Sequence, residues 1–178
     1  MRVSTRTALS LILACISYST FALENAKSPG PLSDAQITSV LEVANDGEAD
    51  LGRLAQIKTQ NREVKAFAKD MVNEHSKAKK MATQTASEMN VKPAPYSKTN
   101  ELKATATRDR VKLQKLNGRA FDKAYLDSQI AMHKEVLRTI DDQLLPNAKS
   151  AQMKTMIQDQ RPKIEAHLRR AQELRKKL

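Results

Sequence analysis

Tryptophan is absent, cysteine occurs once, and tyrosine and phenylalanine occur three times each in 178 residues. With aromatic residues at 3%, a folded core has to be assembled mainly from Leu, Ile, Val, Met and Ala. The single cysteine, Cys15, excludes an internal disulfide and any zinc or redox site of the Cys-x-x-Cys kind. Glycine is limited to four positions, and none belongs to a phosphate-cradling loop or a Gly-x-Ser-x-Gly nucleophile elbow. No apolar run approaches the roughly 20 residues that cross a bilayer as a helix. Acidic residues are in deficit, 20 against 31 Lys and Arg, and the formal net charge is +11.

What the chain does have begins with an N-terminal address. Residues 1–22 show a charged start at Arg2 and Arg6, an apolar stretch through Leu9, Leu11, Ile12 and Leu13, and small residues at Thr20 and Ala22. This order predicts a secretory signal peptide cleaved after Ala22, which removes Cys15 and takes the net charge from +11 to +9. An alternative processing site is Leu13-Ala14-Cys15, where Cys15 would become the lipidated first residue; Leu13 fits poorly where a small residue is usual. Both readings export the chain, to the periplasm or the outer membrane. Outside the cytoplasm, a basic surface points to anionic lipid, lipopolysaccharide or cell-wall polymers rather than to nucleic acid, or serves only as a solvated face. About 155 residues remain, enough for one domain with a real core.

Residues 23–32, with Pro29, Gly30 and Pro31, read as a flexible lead-in, and residues 33–178 as a helical-bundle domain. Ser33, with Asp34 and Gln36 beside it, caps a first helix whose Ile37, Val40, Leu41, Ala44, Leu51, Leu54 and Ile57 share one stripe. Asn61 caps a second, carrying Val64, Phe67, Ala68, Met71, Val72, Ala78 and Ala82 and ending near Asn90, before two prolines. Residues 98–116 form a charged helix with only Leu102, Ala106, Leu113 and Leu116 to bury. A third long helix spans 119–145 and is stopped by Pro146; a fourth spans 149–177, with Pro162 predicted to kink it. Short links make the outer pairs antiparallel hairpins, and the charged helix is long enough to return along the bundle at about 1.5 Å per residue. One long crossover between two hairpins is a ferritin-like four-helix topology, with a plain up-and-down bundle as the alternative.

Each long helix has one titratable residue that breaks its apolar stripe: Glu48, His75, His133 and His167, which include all three histidines of the chain. They fall at similar depth, so a bundle brings them toward one midplane, with Gly47 and Gly52 beside Glu48 permitting close backbone approach. Separate burial of four such groups is costly, whereas a cluster can pair or share an ion. Imidazoles and a carboxylate suit zinc, iron, copper or nickel. The competing reading, which the sequence alone favours, is a buried hydrogen-bond network in which Glu48 accepts from histidines and fixes helix pairing. The sequence argues against a ferritin-type di-iron site, because the positions three before each histidine are Val72, Ile130 and Ile164 rather than Glu. Methionines at helical spacing, including Met71, Met81, Met132, Met153 and Met156, read as core filler rather than a copper track.

Glu48-Ala49-Asp50-Leu51-Gly52, Val64-Lys65-Ala66-Phe67-Ala68 followed by Met71, Val72 and His75, Gly118 with residues 121–126, and Pro162 with His167-Leu168 occur in order. Together they resemble the exported bacterial family catalogued as domain of unknown function 4142. That resemblance implies a ferritin-like fold, an envelope location, and a Glu on the first helix with a His on each later one, matching Glu48, His75, His133 and His167. It implies no reaction. A departure is Asn45-Asp46-Gly47, with one glycine where many members have a Gly-rich approach to the Glu, which implies looser packing of the first helix here. The expectation is a non-enzymatic envelope bundle, metal- or stress-associated through the Glu/His cluster. The alternative is an interaction module whose basic faces bind anionic lipid or cell-wall polymers. The oligomeric state is not legible.

Overall fold

A computed structural model describes residues 31–178. The predicted signal segment with Cys15, and lead-in residues 23–30, lie outside them. Five substantial helices account for most of the described chain: α1 (Asp34–Lys58), α2 (Arg62–Glu88), α3 (Ser97–Gln114), α4 (Gly118–Thr139) and, after a π-helical turn (Ile140–Leu144) and a short α5 (Leu145–Asn147), α6 (Ala151–Lys176). Among the described residues no helix is long and apolar enough to cross a membrane.

The helix starts follow from local chemistry. Ser33 accepts from the Gln36 amide while the Gln36 side chain accepts from the Ser33 amide, a reciprocal cap that satisfies two otherwise free donors. Asn61 accepts from the amides of Glu63 and Val64 at the start of α2. Ser150 caps α6, and Asp34 of α1 takes the Lys149 and Ser150 amides at 2.9 and 3.1 Å, tying the two helix starts together. Leu32, the last lead-in residue, differs from expectation: it is buried, and its amide donates to Asn147 Oδ1 at 3.2 Å.

Contacts at the two ends give the topology. Leu51, Leu54, Phe67, Phe121, Tyr125 and Leu174 share one core cluster, while Ile37, Leu41, Ala82, Ile140, Met153 and Ile157 share the other. Hence α1 and α6 run one way and α2 and α4 the other, with α3 returning the chain between hairpins. α3 packs against α1 and α4 and buries only Thr99 and Leu113 fully, which leaves it as an outer strap. This is the all-α bundle with a helix in its long crossover that the hydrophobic pattern predicts. Each fully buried Leu, Ile, Phe or Met in it contributes roughly 1.5–3 kcal/mol of burial.

The differences from expectation are local. Ile57, placed on the inward stripe, is 82% exposed. Leu54 already stands at the edge of that stripe, and three further residues rotate about 60° more, past the contact. Pro146 does not stop the third helix; the chain widens into a π turn in which the Leu145 amide donates to the Ile140 carbonyl, and helical structure continues to Asn147. A proline ring crowds the carbonyl four residues back, here Asp142, and a widened turn accommodates it. Pro162 lies inside α6, which continues as one helix on both sides of it.

Candidate metal centre

At the midplane, the rings of His75 (α2), His133 (α4) and His167 (α6) form a nearly equilateral triangle. Their centroids lie 5.6, 5.3 and 5.5 Å apart for the pairs 75–133, 75–167 and 133–167. A nitrogen of each ring is within 4.8 Å of one on both others, and all three residues are buried. An ion bound at about 2.0–2.1 Å holds tetrahedral nitrogens roughly 3.4 Å apart, so nitrogens standing at the 4.8 Å limit would close by about 1.4 Å to grip one.

Which nitrogen carries the proton is dictated from outside the triangle. His75 Nδ1 is 2.9 Å from Asn45 Oδ1, and the Asn45 amide is itself oriented by donating Nδ2–H to the Leu41 carbonyl at 2.7 Å. His133 Nδ1 is 2.9 Å from the Gln129 carbonyl, and His167 Nε2 is 2.9 Å from Glu74 Oε2. All three partners are acceptors, so each ring donates outward and keeps a lone pair on its other nitrogen. Those nitrogens, His75 Nε2, His133 Nε2 and His167 Nδ1, are buried and have no hydrogen-bond partner. A buried polar atom left unpaired costs about 1–3 kcal/mol, and here each ring of one triangle carries one.

Electrostatics keep the lone pairs free. Burial pushes the His75 imidazole well below its ordinary value, with repulsion from His133 and His167 adding to it. His133 is pushed down to about 4 by burial, against the opposing pull of the Gln129 carbonyl. His167 is lowered by burial and then by His133, with Glu74 opposing. All three are therefore neutral near pH 7, the form that binds metal.

Glu48 is buried but stands behind His133 rather than among the three nitrogens. Its Oε1 lies 3.3 Å from His133 Nδ1 without hydrogen-bond alignment, and its Oε2 accepts from Gln129 Nε2 at 2.7 Å. Burial raises its carboxyl to about 8, with the Gln129 amide lowering it and Asp109 of α3 raising it. Glu48 therefore meets one histidine of the three, and the histidines make no hydrogen bonds to one another. The network reading, with Glu48 accepting from several imidazoles, finds no such hydrogen bond here: the carboxyl group comes near one ring and bonds only to Gln129. The carboxyl group lies beside the His133 ring and does not join the triangle.

Three partners, Asn45, Gln129 and Glu74, escape the sequence reading. Gln129 and Asn45 could have been found by the rule that found the histidines, because each is polar on a buried seam one turn from a site residue. Glu74 precedes His75, points to a different neighbour, and gives no such signal. Gly52 acts as anticipated, and the looser packing of the first helix that the family resemblance implied is not seen there: a methyl on Gly52 would meet Val72 Cγ2 at 2.9 Å and the Ala68 carbonyl at 3.0 Å, so α1 and α2 touch through backbone. Gly47 serves the strap, with Ala106 Cβ at 3.0 Å from the same kind of added methyl.

The triangle opens on one side into a cavity of about 320 Å³. Its walls are Leu41, Ala44, Ala82, Ile140, Met156 and Ile157 among others, and its mouth lies between α2 and α6 at Lys77, Met81, Gln160 and Lys163. A larger groove of about 480 Å³ between α1, α3 and α4 contains none of the three histidines.

The model of the family "Domain of unknown function (DUF4142)" matches residues 20–174, and the chain belongs to that family. The chain is similar in structure to the DUF305 protein of Streptomyces coelicolor, which carries a provisional assignment as secreted. The match has a TM-score of 0.68 at 14% identity and covers 79% of this chain and 90% of that one, a likeness of fold. No curated protein sequence matches the chain.

Proposed function

We propose that this member of the DUF4142 family is an exported protein that holds one transition-metal ion on His75 Nε2, His133 Nε2 and His167 Nδ1. The observation that carries this reading is the agreement of three independent outward hydrogen bonds, each of which leaves a lone pair on the inner nitrogen. Second partners of this kind, a carbonyl, a carboxamide and a carboxylate behind the ligating rings, are what fixes imidazole ligands in metal sites. A set of three neutral imidazoles with no thiolate suits zinc, copper, nickel or iron(II) and disfavours magnesium or calcium. Three protein ligands also leave a coordination position open, unlike a closed structural site. The charged, apolar and small-residue order of residues 1–22 supports export, as does the secreted assignment of the DUF305 neighbour, and the periplasm or outer membrane is the expected address.

The test is elemental analysis of the untagged mature protein after loading with zinc, copper or nickel and desalting. One equivalent per chain is expected, and none in a His75→Ala, His133→Ala double variant that retains its helical circular dichroism. A wild-type protein that is folded and retains none of these metals would overturn the reading.

A further inference from the structure

We infer that the open position of this centre takes a short monocarboxylate, whose carboxylate binds the metal while its hydrocarbon body fills the 320 Å³ cavity. This rests on the metal reading above and goes beyond it by naming the ligand class. An ion on three neutral imidazoles keeps its full positive charge, since no carboxylate belongs to the triangle, and an incoming anion compensates it. The side of the triangle that faces the cavity is the side from which a fourth ligand can come. Beyond the histidines, the wall is largely apolar and comes from all four bundle helices and the π turn, with Leu41, Ala82, Val136, Ile140, Met156 and Ile157 contributing. A bare inorganic anion would leave that surface unfilled, whereas a short alkyl chain covers it.

The charges on the route favour the same ligand. Lys77 and Lys163 stand exposed at the mouth, on α2 and α6. The two carboxyl groups of the wall are otherwise engaged: Glu74 accepts from His167, and Glu48 is held by Gln129. The mouth is spanned by a Gln160 Nε2 contact to Met81 Sδ at 3.7 Å, made of two flexible side chains that can part without helix movement. At its volume the cavity sits at the small end of ligand sites, which excludes long-chain lipids as whole occupants.

The experiment uses the mature protein loaded with cobalt(II), whose visible bands report coordination, titrated with butyrate, acetate, azide and butyramide. Saturable band shifts are expected with butyrate, about tenfold tighter than with acetate because two more methylenes are buried, and no shift with butyramide. Ala78→Leu, which fills the cavity wall one turn from His75, is expected to abolish the butyrate shift while azide still binds. A Lys77→Gln, Lys163→Gln double variant is expected to bind cobalt unchanged and butyrate about threefold more weakly. Cobalt bound without any carboxylate response overturns this inference and leaves the metal reading standing. Equal affinity for acetate and butyrate, or butyrate binding that survives Ala78→Leu, overturns the role of the cavity. Failure to bind cobalt at all overturns both.

Discussion

The two ends of the bundle are filled differently, and the histidines stand at the boundary. At the end where α1 meets α2, Phe121 and Tyr125 stack with centroids 6.2 Å apart and planes 7° apart, and Phe67 tilts against Tyr125 at the same distance. Gly52 brings α1 onto the backbone of α2 there, and Thr59 of the turn donates to the buried Asp122 of α4. The other end is built of Ile, Leu, Val, Ala and Met without an aromatic ring in its buried cluster, and it contains the π turn. It is the end with the 320 Å³ cavity. A chain so poor in aromatics places three of its four described Phe and Tyr rings, Phe67, Phe121 and Tyr125, on the side of the histidines away from the cavity, while Tyr96 packs at the margin of the other cluster.

The largest effect separating the two ends is expected from truncating the aromatic side. Phe121→Ala should cost about 3–5 kcal/mol in urea unfolding, whereas Met156→Ala, beside existing empty space, should fall near the low end of about 2–5. Equal costs would show that the two ends are packed alike. Next, Gly52→Ala forces a methyl against backbone and should destabilise by about 1–3 kcal/mol, and Gly47→Ala, against the strap, by less.

Removing an outward partner tests the site without touching a ligand. Asn45→Ala frees His75 to turn or change tautomer, and zinc affinity measured by calorimetry should fall about 10- to 100-fold. An unchanged affinity would remove Asn45 from the support of the site.

The pH dependence of the metal-free protein follows from the same groups. An imidazole held below its unfolded value of 6.5, as His133 is at about 4, binds fewer protons folded than unfolded between those limits. Its contribution to stability stands above pH 6.5 and is lost as pH falls toward 4. Glu48 acts in the opposite sense: with a folded value of about 8 against 4.5, its contribution stands below 4.5 and is lost as pH rises through 8. Urea midpoints from pH 4 to 9 should therefore drop on both sides, more steeply on the acid side, where three groups act against one. The smallest effect is expected from Glu48→Gln at neutral pH, where the carboxyl is already protonated, with a clear gain only above pH 8.

The helices and the inward polar residues are legible in the sequence because each imposes a period. A polar residue on a seam such as Ile130, His133, Leu137 stands out against its neighbours. The π turn is not legible, since Pro146 signals an end equally well, and Ile57 misleads because periodicity carries no information about where a neighbour stops. Least legible is the assignment of roles within the site. Glu48 matches the histidines in depth and seam position, yet stands on the outward side of His133, a difference set by side-chain direction.

The availability of a lone pair on each of the three inner nitrogens underlies the metal centre. It is tested most directly by long-range 15N correlation spectra of the histidines at pH 7, without metal and then with one equivalent of zinc. Neutral rings protonated at Nδ1 in His75 and His133 and at Nε2 in His167 are expected, with zinc shifting Nε2, Nε2 and Nδ1 respectively. Rings protonated on those inner nitrogens, or spectra that zinc leaves unchanged, would contradict it.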